Sequence, residues 1–331
     1  MIRCAVVGAG AWGTALANVL AINGHDVVLW ARESDVVETI NHDHVNARFL
    51  AGHALEPSLR ATGRIDEAVV GAQLVVYAPP SHALRAVAAA GRQSVGARVP
   101  VVVASKGIER ETFALMTDVV ESELPGRPVI ALSGPSFAAE VAARQPTAVV
   151  AASDDESAAL RAQELFANVF FRVYTQSDVR GVELGGSLKN VMAVATGMAE
   201  GLGLGYNSRA ALITRGLAEM TRLGVALGAS SRTFAGLAGI GDLVLTCTGA
   251  LSRNRALGVE IGRGSTLEEA LAGRETVAEG VFTAESAHAL AAARGIEMPI
   301  VETVHRALFE QYPVRKALDD LMRRELRAEH D

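Results

Sequence analysis

The first half of the chain alternates short β-branched runs with stretches of helical periodicity, and this alternation constrains the fold most strongly. Apolar strands that are separated by helices predict a parallel sheet that is covered on both faces. The predicted strands are Ile2–Val7, Asp26–Trp30, Leu74–Ala78, Val99–Ala104, Pro128–Leu132, Ala148–Ala151 and Phe171–Tyr174. The predicted helices between them are Gly13–Asn23, Ser34–His42, Ala83–Gly91, Phe113–Glu123, Phe137–Ala143 and Asp155–Ala167.

After about Ser177 the strand-like runs end and long helical patterns follow. The sequence therefore predicts an α/β fold, in which a doubly wound, mostly parallel sheet spans residues 1–178 and an all-helical domain spans residues 179–331. Glycine-containing segments, such as Gly201–Gly205 and Gly239–Gly241, are predicted as loops. The predicted helices of this half are Gly181–Glu200, Arg209–Leu227, Asn254–Arg263, Leu267–Ala272, Thr283–Ala293, Pro299–Phe309 and Pro313–Glu325.

Composition and charge exclude several broad classes of protein. Hydrophobic residues make up 50% of the 331 residues, which supplies a large core and excludes a disordered chain. The formal net charge of −6 argues against broad electrostatic binding to nucleic acid or to an anionic membrane. Two distant cysteines, and the lack of an apolar run long enough to span a bilayer, predict a cytoplasmic protein without membrane insertion.

A glycine-rich turn, Gly8-Ala9-Gly10-Ala11-Trp12-Gly13, follows the first predicted strand and opens the first predicted helix. A GxGxxG pattern in this context predicts a dinucleotide-binding turn of the Rossmann type. Gly8 permits the tight turn, Gly10 lets the backbone approach a pyrophosphate, and Gly13 lets the helix pack on the strand. The helix N-terminus offers N–H groups to the anion. Trp12 is interpreted either as a ligand contact or as a core aromatic residue.

Arg32 and Glu33 follow the second predicted strand, at the point where dinucleotide sites distinguish their cofactors. An acidic side chain there favours the ribose 2′-OH of NAD, whereas Arg32 favours the 2′-phosphate of NADP. Because both residues are present, the sequence leaves NADP(H) and NAD(H) open. A solvated charge at the end of a strand is the alternative interpretation of Arg32.

Two further strand ends carry candidate substrate contacts. Lys106 follows the strand Val99–Ala104, and open α/β sheets bind ligands at the carboxyl ends of their strands. Gly134 and Ser136 follow the next strand, where a backbone N–H and a hydroxyl are suited to donate to a ligand oxygen. The alternatives are a solvated loop lysine and simple capping of the next helix.

Lys189 lies in the predicted helix Gly181–Glu200, which is apolar almost all round and therefore typical of a buried central helix. A buried lysine needs a partner or a lowered pKa, and either makes it a candidate acid–base group. Asp242, which stands among apolar residues, and Asn190 are candidate partners for its ammonium group. A lysine that extends to solvent is the alternative.

Ser252, Arg253 and Asn254 stand at the predicted start of another helix. Ser252 is suited to cap the helix N-terminus. A cation in the first turn opposes the helix dipole, so Arg253 indicates a nearby anion, and its planar guanidinium suits a phosphate. Surface arginines at a helix start are the alternative interpretation.

In this order, the motifs resemble those of the bacterial NAD(P)-dependent glycerol-3-phosphate dehydrogenases over essentially the whole chain. The resemblance is carried by GAGAWGTALA, SKG, LSGPSFAAEV, the block from LGGSLKN to GLAEM, and GIGDLVLTCT with SRNR. It implies reversible reduction of dihydroxyacetone phosphate to sn-glycerol 3-phosphate with NADP(H) or NAD(H), for phospholipid synthesis. The apolar helical domain is compatible with a homodimer. Neither a metal ion nor nucleic acid is expected as a partner.

The resemblance also implies roles for individual residues, with Lys189 as the proton donor and acceptor at the C2 oxygen of the substrate. The implied substrate contacts are Lys106, Gly134, Ser136, Lys189, Asp242, Ser252, Arg253 and Asn254. The expected cofactor contacts are the residues of the glycine turn together with positions that the resemblance adds. Those of the turn are Gly8, Gly10, Ala11, Trp12 and Gly13, and those added are Arg32, Lys106, Ala138, Arg253, Val277 and Glu279. Ala11 departs from the family, which often has a hydroxyl residue there, and Glu33 replaces a frequent second basic residue.

Two other functions stay open from the sequence. A β-hydroxyacid or 6-phosphogluconate type dehydrogenase shares the Rossmann-plus-helical plan and a helical lysine with a nearby asparagine, although SRN and GIGDL favour the first assignment. A non-catalytic dinucleotide sensor would keep the glycine turn but would not need Lys106, Lys189 and Asp242 together.

Overall fold

A computed structural model describes residues 1–273, 278–326 and 328–329. Within these residues, eight strands form one sheet in the order β3-β2-β1-β4-β5-β6-β7-β8. All neighbouring strands in it pair in parallel except β6 and β7, which are antiparallel. The strands are β1 (Arg3–Val7), β2 (Asp26–Trp30), β3 (Arg60–Thr62), β4 (Leu74–Tyr77), β5 (Val101–Val103), β6 (Val129–Ser133), β7 (Thr147–Ala152) and β8 (Phe171–Gln176). The predicted mostly parallel sheet is confirmed.

The register of the central strands brings their carboxyl ends to one level. Val7 at the end of β1 pairs with Trp30 of β2 and with Tyr77 of β4. Tyr77 in turn pairs with Val103 of β5, which pairs with Ala131 of β6. The loops that follow β1, β2, β4, β5 and β6 therefore leave the sheet along the same edge, and this edge carries the sequence motifs.

Helices cover both faces of the sheet, so the central strands β1, β2, β4, β5 and β6 are buried on two sides. Side chains of α1, α2 and α7 pack on one face, and side chains of α3, α4 and α5 pack on the other. These helices, with α6, are α1 (Ala11–Ile22), α2 (Ser34–Asp43), α3 (Ile65–Val69), α4 (Leu84–Gly91), α5 (Met116–Glu123), α6 (Ala138–Ala142) and α7 (Glu156–Phe166). A 3₁₀ turn, Ser81–Ala83, precedes α4.

Helix α8 (Val179–Gly201) is the centre of the second half, and it is buried from Gly181 to Ala199. It packs against β6 of the sheet and against α9, α11, α12 and α14. The remaining helices are α9 (Tyr206–Ala226), α10 (Ser231–Phe234), α11 (Asp242–Thr248), α12 (Arg253–Gly262), α13 (Leu267–Leu271), α14 (Glu279–Arg294), α15 (Pro299–Phe309) and α16 (Val314–Met322). The buried central helix is confirmed.

Several elements differ from the sequence prediction. Strand β3 and helices α3 and α10 were not predicted, because three, five and four residues are too few to show a period. The prediction of Gly239–Gly241 as a loop is wrong, since residues 237–241 form a π-type turn that leads into the unpredicted helix α11. Helix α14 starts at Glu279, one turn earlier than predicted.

The sheet ends at Gln176 and α8 begins at Val179. The division of the chain at residue 178 stays a prediction. Among the residues that the structure describes, there is no helix with the length and apolar character needed to cross a membrane.

Candidate active site

Lys189 and Lys106 meet on one buried carboxylate, that of Asp242. Lys189 lies in the middle of α8, and its Nζ donates to Asp242 Oδ1. Lys106 follows β5, and its Nζ donates to Asp242 Oδ2 over 2.6 Å. The side chains of Asp242, Lys189 and Lys106 are 1%, 10% and 17% exposed. The alternative in which Lys189 extends to solvent is therefore wrong.

The electrostatics of the cluster follow from this burial. Burial lowers the pKa of Lys189 from 10.5 to about 7, while Asp242 acts to raise that pKa and Lys106 acts to lower it. Burial by itself raises the pKa of Asp242, but the two ammonium groups outweigh it and hold that pKa below its usual value. Lys189 thus exchanges a proton near neutral pH beside a fixed anion, which suits general acid–base chemistry.

Thr246 is a member of this cluster that sequence reasoning missed. It lies one turn after Asp242 in α11, and its hydroxyl donates to the Asp242 carbonyl oxygen over 2.6 Å. With that proton committed, a lone pair on Oγ1 accepts from Lys189 Nζ at 3.0 Å. The i, i+4 spacing of Asp242 and Thr246 places both side chains on one side of a helix. This spacing would have identified Thr246 in the sequence, but only if residues 242–248 were known to be helical.

A close approach of two backbones places Asp242 beside Lys189. The segment Leu237–Gly241 runs against α8, where a Cβ on Gly185 would lie 2.4 Å from the Ala238 carbonyl oxygen. Glycine at position 185, one turn before Lys189, is therefore what lets the segment reach the helix. Gly239 then adopts non-helical dihedral angles, with φ −96° and ψ −105°, and α11 begins at Asp242.

The end of β6 brings Gly134 and Ser136 to the same edge of the sheet as Lys106. Gly134 has φ +142°, a conformation that favours glycine, and turns the chain out of the sheet. Ser136 Oγ donates to the Gly134 carbonyl oxygen at 2.9 Å. Helix α6 begins at Ala138 without a side-chain cap, so the interpretation of Ser136 as a helix cap is wrong.

Ser252 caps α12, as the sequence predicts, because its Oγ accepts from Arg255 N at 3.2 Å. Arg253 is the first residue of this helix and lies directly beside the cap. The start of α12 therefore combines a satisfied cap with a guanidinium group in the first turn.

Asn254, the next residue of α12, binds α8 and α14. Its Nδ2 donates to Asn190 Oδ1 at 2.9 Å, and its Oδ1 accepts from Gly280 N at 2.9 Å. Asn190 therefore pairs with Asn254, and the expectation that it holds the Lys189 ammonium is wrong. Since successive helical residues are about 100° apart, Lys189 and Asn190 contact different neighbours of α8.

The glycine turn has the geometry that a dinucleotide needs. Gly8 has φ +115°, and a Cβ on Gly13 would lie 1.9 Å from the Gly8 carbonyl oxygen, so α1 rests directly on the turn. Gly10, by contrast, has nothing within 4 Å of its Cβ position. Helix α1 has neither a side-chain cap nor an acidic residue in its first turn. An open approach and uncapped N–H groups fit a pyrophosphate.

Trp12 and Ala11 lie within the glycine turn, and Asn46 contacts it. Trp12 is half-buried against the core, and its Nε1 finds no hydrogen-bond partner among the described residues. Ala11 is the first residue of α1. Asn46, which the sequence analysis did not single out, donates from Nδ2 to the Ala9 carbonyl oxygen at 2.8 Å and so fixes the turn from behind.

Arg32 stands at the end of β2 beside Glu33. The Arg32 side chain is 82% exposed, and its guanidinium donates to Glu33 Oε1 at 2.8 and 3.1 Å. Glu33, whose negative charge disfavours the 2′-phosphate of NADP, is thus the ion-pair partner of Arg32, which favours that phosphate.

Glu279 connects α14 to the sheet edge. It is the first residue of α14, and its carboxylate accepts from Ser81 N at 3.2 Å and from Ser81 Oγ at 2.5 Å. Burial raises the pKa of Glu279, and the two bonds from Ser81 act against that rise. Val277, the other expected contact in this stretch, lies outside the described residues.

Known protein families match this chain in both of its halves. The model of the NAD-dependent glycerol-3-phosphate dehydrogenase N-terminus matches residues 3–159, and that of the corresponding C-terminus matches residues 178–319. The chain belongs to this family. The resemblance that the motifs indicate is therefore confirmed, and assignment to a β-hydroxyacid or 6-phosphogluconate dehydrogenase is set aside.

Individual members of the glycerol-3-phosphate dehydrogenase family are similar over almost their whole length. The glycerol-3-phosphate dehydrogenase (NAD(P)+) of Geobacter sulfurreducens is 53% identical over 330 residues, which cover 99% of this chain and 98% of the relative. That of Myxococcus xanthus is 52% identical, with 99% of both chains covered. The crystal structure of glycerol-3-phosphate dehydrogenase from Coxiella burnetii is 41% identical, with a TM-score of 0.94 over 98% of this chain and 99% of that one.

The described residues hold no group of three or more His, Cys, Asp or Glu side chains that is arranged to hold a metal ion. The charged centre of this family member is built instead from two lysines and an aspartate.

Proposed function

We propose that this chain catalyses the NAD(P)H-dependent reduction of dihydroxyacetone phosphate to sn-glycerol 3-phosphate, and its reverse, and thereby supplies glycerophospholipid synthesis. The observation that carries the proposal is the cluster of Lys189, Asp242 and Lys106, in a chain of this family. A non-catalytic dinucleotide sensor would not need a buried lysine whose pKa burial lowers to about 7.

Lys189 acts as the proton donor in this proposal. A nicotinamide cofactor, when bound, would supply the hydride for the ketone carbon. The C2 oxygen of the substrate gains negative charge during this reduction. An ammonium group beside that oxygen stabilises the charge and donates its proton. Asp242 and Thr246 orient the ammonium group through two of its three N–H bonds, which leaves the third for the substrate. In the reverse direction, the neutral amine accepts the proton.

The remaining proposed substrate contacts surround this oxygen and the phosphate. Arg253, at the start of α12, binds the phosphate and so supplies orientation through a group that does not react. Asn254 uses one of its two Nδ2 protons on Asn190, and the second is available to the substrate. The other contacts in the proposal are Lys106, Gly134, Ser136, Asp242 and Ser252.

In this proposal the glycine turn would hold the cofactor, and the uncapped N–H groups at the N-terminus of α1 would bind its pyrophosphate. Arg32 binds the 2′-phosphate of NADP(H) when it leaves Glu33, and NAD(H) is the other cofactor allowed. The proposed contacts are Gly8, Gly10, Ala11, Trp12, Gly13, Arg32, Lys106, Ala138, Arg253, Val277 and Glu279.

Compartment and assembly complete the proposal. Both cysteines are free and buried, which fits a reducing compartment, and we place the enzyme in the cytoplasm. The sheet domain spans residues 1–178 and the helical domain residues 179–331. A homodimer, and the lack of a nucleic-acid partner, stay predictions.

A steady-state assay tests the proposed function directly. With dihydroxyacetone phosphate as substrate, we expect oxidation of NADPH, of NADH or of both, with sn-glycerol 3-phosphate as the product. In the same assay, Arg32→Ala raises the KM for NADPH more than the KM for NADH, since only NADPH carries the 2′-phosphate. If neither cofactor is oxidised, the proposed function is wrong.

A further inference from the structure

Glu183 is a buried acid outside the cluster described above. It lies in α8, is 8% exposed, and accepts from Thr117 N at 2.9 Å and from the Thr117 hydroxyl. Thr117 lies in the first turn of α5, where a backbone N–H has no partner within its own helix. Glu183 therefore supplies, from a distant helix, an acceptor that the N-terminus of α5 requires.

The segment that joins Lys106 to α5 lies on the same helix. Its ends pair through a bridge between Ile108 and Leu115, and both side chains are buried in the core that contains Leu184 and Leu188 of α8. The segment and the residues that hold it are thus arranged around one stretch of α8.

Two further contacts attach Lys106 and the residue that follows it to that stretch. Ser187 Oγ donates to the Gly107 carbonyl oxygen at 3.1 Å, immediately after the lysine. A Cβ on Gly186 would lie 3.4 Å from Lys106 Cδ, so the stem of the lysine lies directly against the backbone of α8. The stretch from Glu183 to Lys189 therefore holds one lysine of the cluster and carries the other.

We propose that Glu183 is a positioning residue for Lys106, which by fastening α5 holds the intervening segment on α8 and sets the spacing of the two ammonium groups at Asp242. Glu183 itself touches neither Lys106 nor Asp242 and acts through α5 and residues 107–115. The kinetic test of this inference rests on the proposed function, because it measures the reduction of dihydroxyacetone phosphate.

Glu219 is a matched control within the same chain. It too is a buried glutamate in a long helix, α9, and it accepts from Ile300 N at 2.8 Å and from Val301 N at 3.3 Å in the first turn of α15. Burial raises the pKa of both glutamates to about 7. Loss of either carboxylate removes the same kind of cap, but only Glu183 caps the helix that follows Lys106.

The kinetic test compares Glu183→Ala, Glu183→Gln and Glu219→Ala in the full-length enzyme. We expect Glu183→Ala to raise the KM for dihydroxyacetone phosphate about tenfold, equal to about 1.4 kcal/mol, and to lower kcat much less. Glu183→Gln restores most of the affinity, since its amide oxygen still accepts from Thr117 N. Glu219→Ala leaves this KM within about twofold. Equal KM values for the two alanine variants overturn the proposal.

A second background separates positioning from general stability. In Lys106→Ala, the further change Glu183→Ala adds no rise in KM if Glu183 acts through Lys106, whereas an additive rise contradicts the inference. Ser187→Ala, which removes only the bond to Gly107, gives a smaller rise of the same kind and serves if Glu183→Ala does not fold.

Hydrogen exchange keeps the inference testable apart from catalysis. Glu183→Ala is expected to accelerate amide exchange in residues 107–115, and Glu219→Ala is not. Unchanged exchange in this segment overturns the anchoring. If the wild-type enzyme fails to reduce dihydroxyacetone phosphate, the proposed function is wrong, but the exchange comparison still decides whether Glu183 anchors the segment.

Discussion

At Lys189, burial acts against the charged form and Asp242 acts in its favour. Burial has the larger effect, so the pKa of Lys189 falls from 10.5 to about 7. Lys106 shares the same carboxylate and adds a like charge. The proton affinity of the proposed acid is therefore set mainly by burial and is adjusted in opposite directions by two residues that are far apart in sequence, Asp242 and Lys106.

The pH dependence of ketone reduction follows from this balance. Reduction needs protonated Lys189, so kcat/KM is expected to fall as the pH rises above about 7. Asp242→Asn removes the charge that raises the Lys189 pKa, so the falling limb moves to lower pH. Lys106→Met removes the like charge and moves it to higher pH. A pH–rate profile of the residual activity measures both shifts, and two shifts of the same sign would contradict the assignment.

The sequence predicts the hydrogen-bond partner of a residue correctly where only one kind of group can pair with it. The prediction fails where several groups could pair and the three-dimensional structure decides between them. A lysine in an apolar helix must be paired, and Asp242 is the carboxylate that pairs with it. The second partner of Lys189 is different, because the oxygen of either Asn190 or Thr246 can accept a hydrogen bond from an ammonium group. The orientation of α8 directs Asn190 to Asn254, and the unpredicted helix α11 places Thr246 beside Lys189.

At the scale of elements, direct backbone contact places the helices that carry the site. Helix α8 touches the segment 237–241 at Gly185, and it touches α12 at Gly197, where a Cβ would lie 2.1 Å from the Arg255 carbonyl oxygen. Glycines in these helices lower intrinsic helix propensity, but they allow approaches that no other residue allows. Tertiary packing therefore determines that glycine is needed at these positions, and local sequence patterns do not show this requirement.

Gly185→Ala tests the first of these contacts. The added methyl group meets a backbone carbonyl, so α8 and the segment 237–241 must separate, and we expect a loss of about 1–3 kcal/mol in the free energy of unfolding. Lower kcat accompanies this loss, since Asp242 begins the next helix. The control is Gly205→Ala, because nothing lies within 4 Å of that Cβ position. Denaturant unfolding compares the two, and equal stabilities would refute the contact.

At the scale of the whole molecule, the alternation of strands and helices predicts the sheet but not the direction of every strand in it. Strand β7 pairs antiparallel with β6, and strand direction leaves no trace in the periodicity of apolar residues. The net charge of −6 also averages over the molecule and hides its local distribution. Lys106 and Lys189 make the centre of the site positive, which is where an anionic substrate is proposed to bind.

Buried carboxyl groups also give the whole molecule a pH-dependent stability. Burial raises the pKa of Glu219 from 4.5 to about 7, so between these pH values the folded state binds more protons than the unfolded state. Stability contributed at Glu219 is therefore lost as the pH rises through this window.

Glu219→Gln cannot ionise, so its free energy of unfolding relative to the wild type is expected to increase from pH 4.5 to pH 7. Chemical denaturation at several pH values measures the difference, with the exposed Glu121→Gln as the control. A difference that stays constant, or that moves against the glutamine variant, rules out a raised pKa at Glu219.

The central claim is that Lys189 donates the proton in ketone reduction, and the turnover of Lys189→Ala with dihydroxyacetone phosphate and NADPH tests it most directly. We expect kcat to fall by about 10²–10⁴, the usual contribution of general acid catalysis, while the Kd for NADPH in the same variant stays within about threefold. Turnover near that of the wild type, with NADPH bound normally, would contradict the claim.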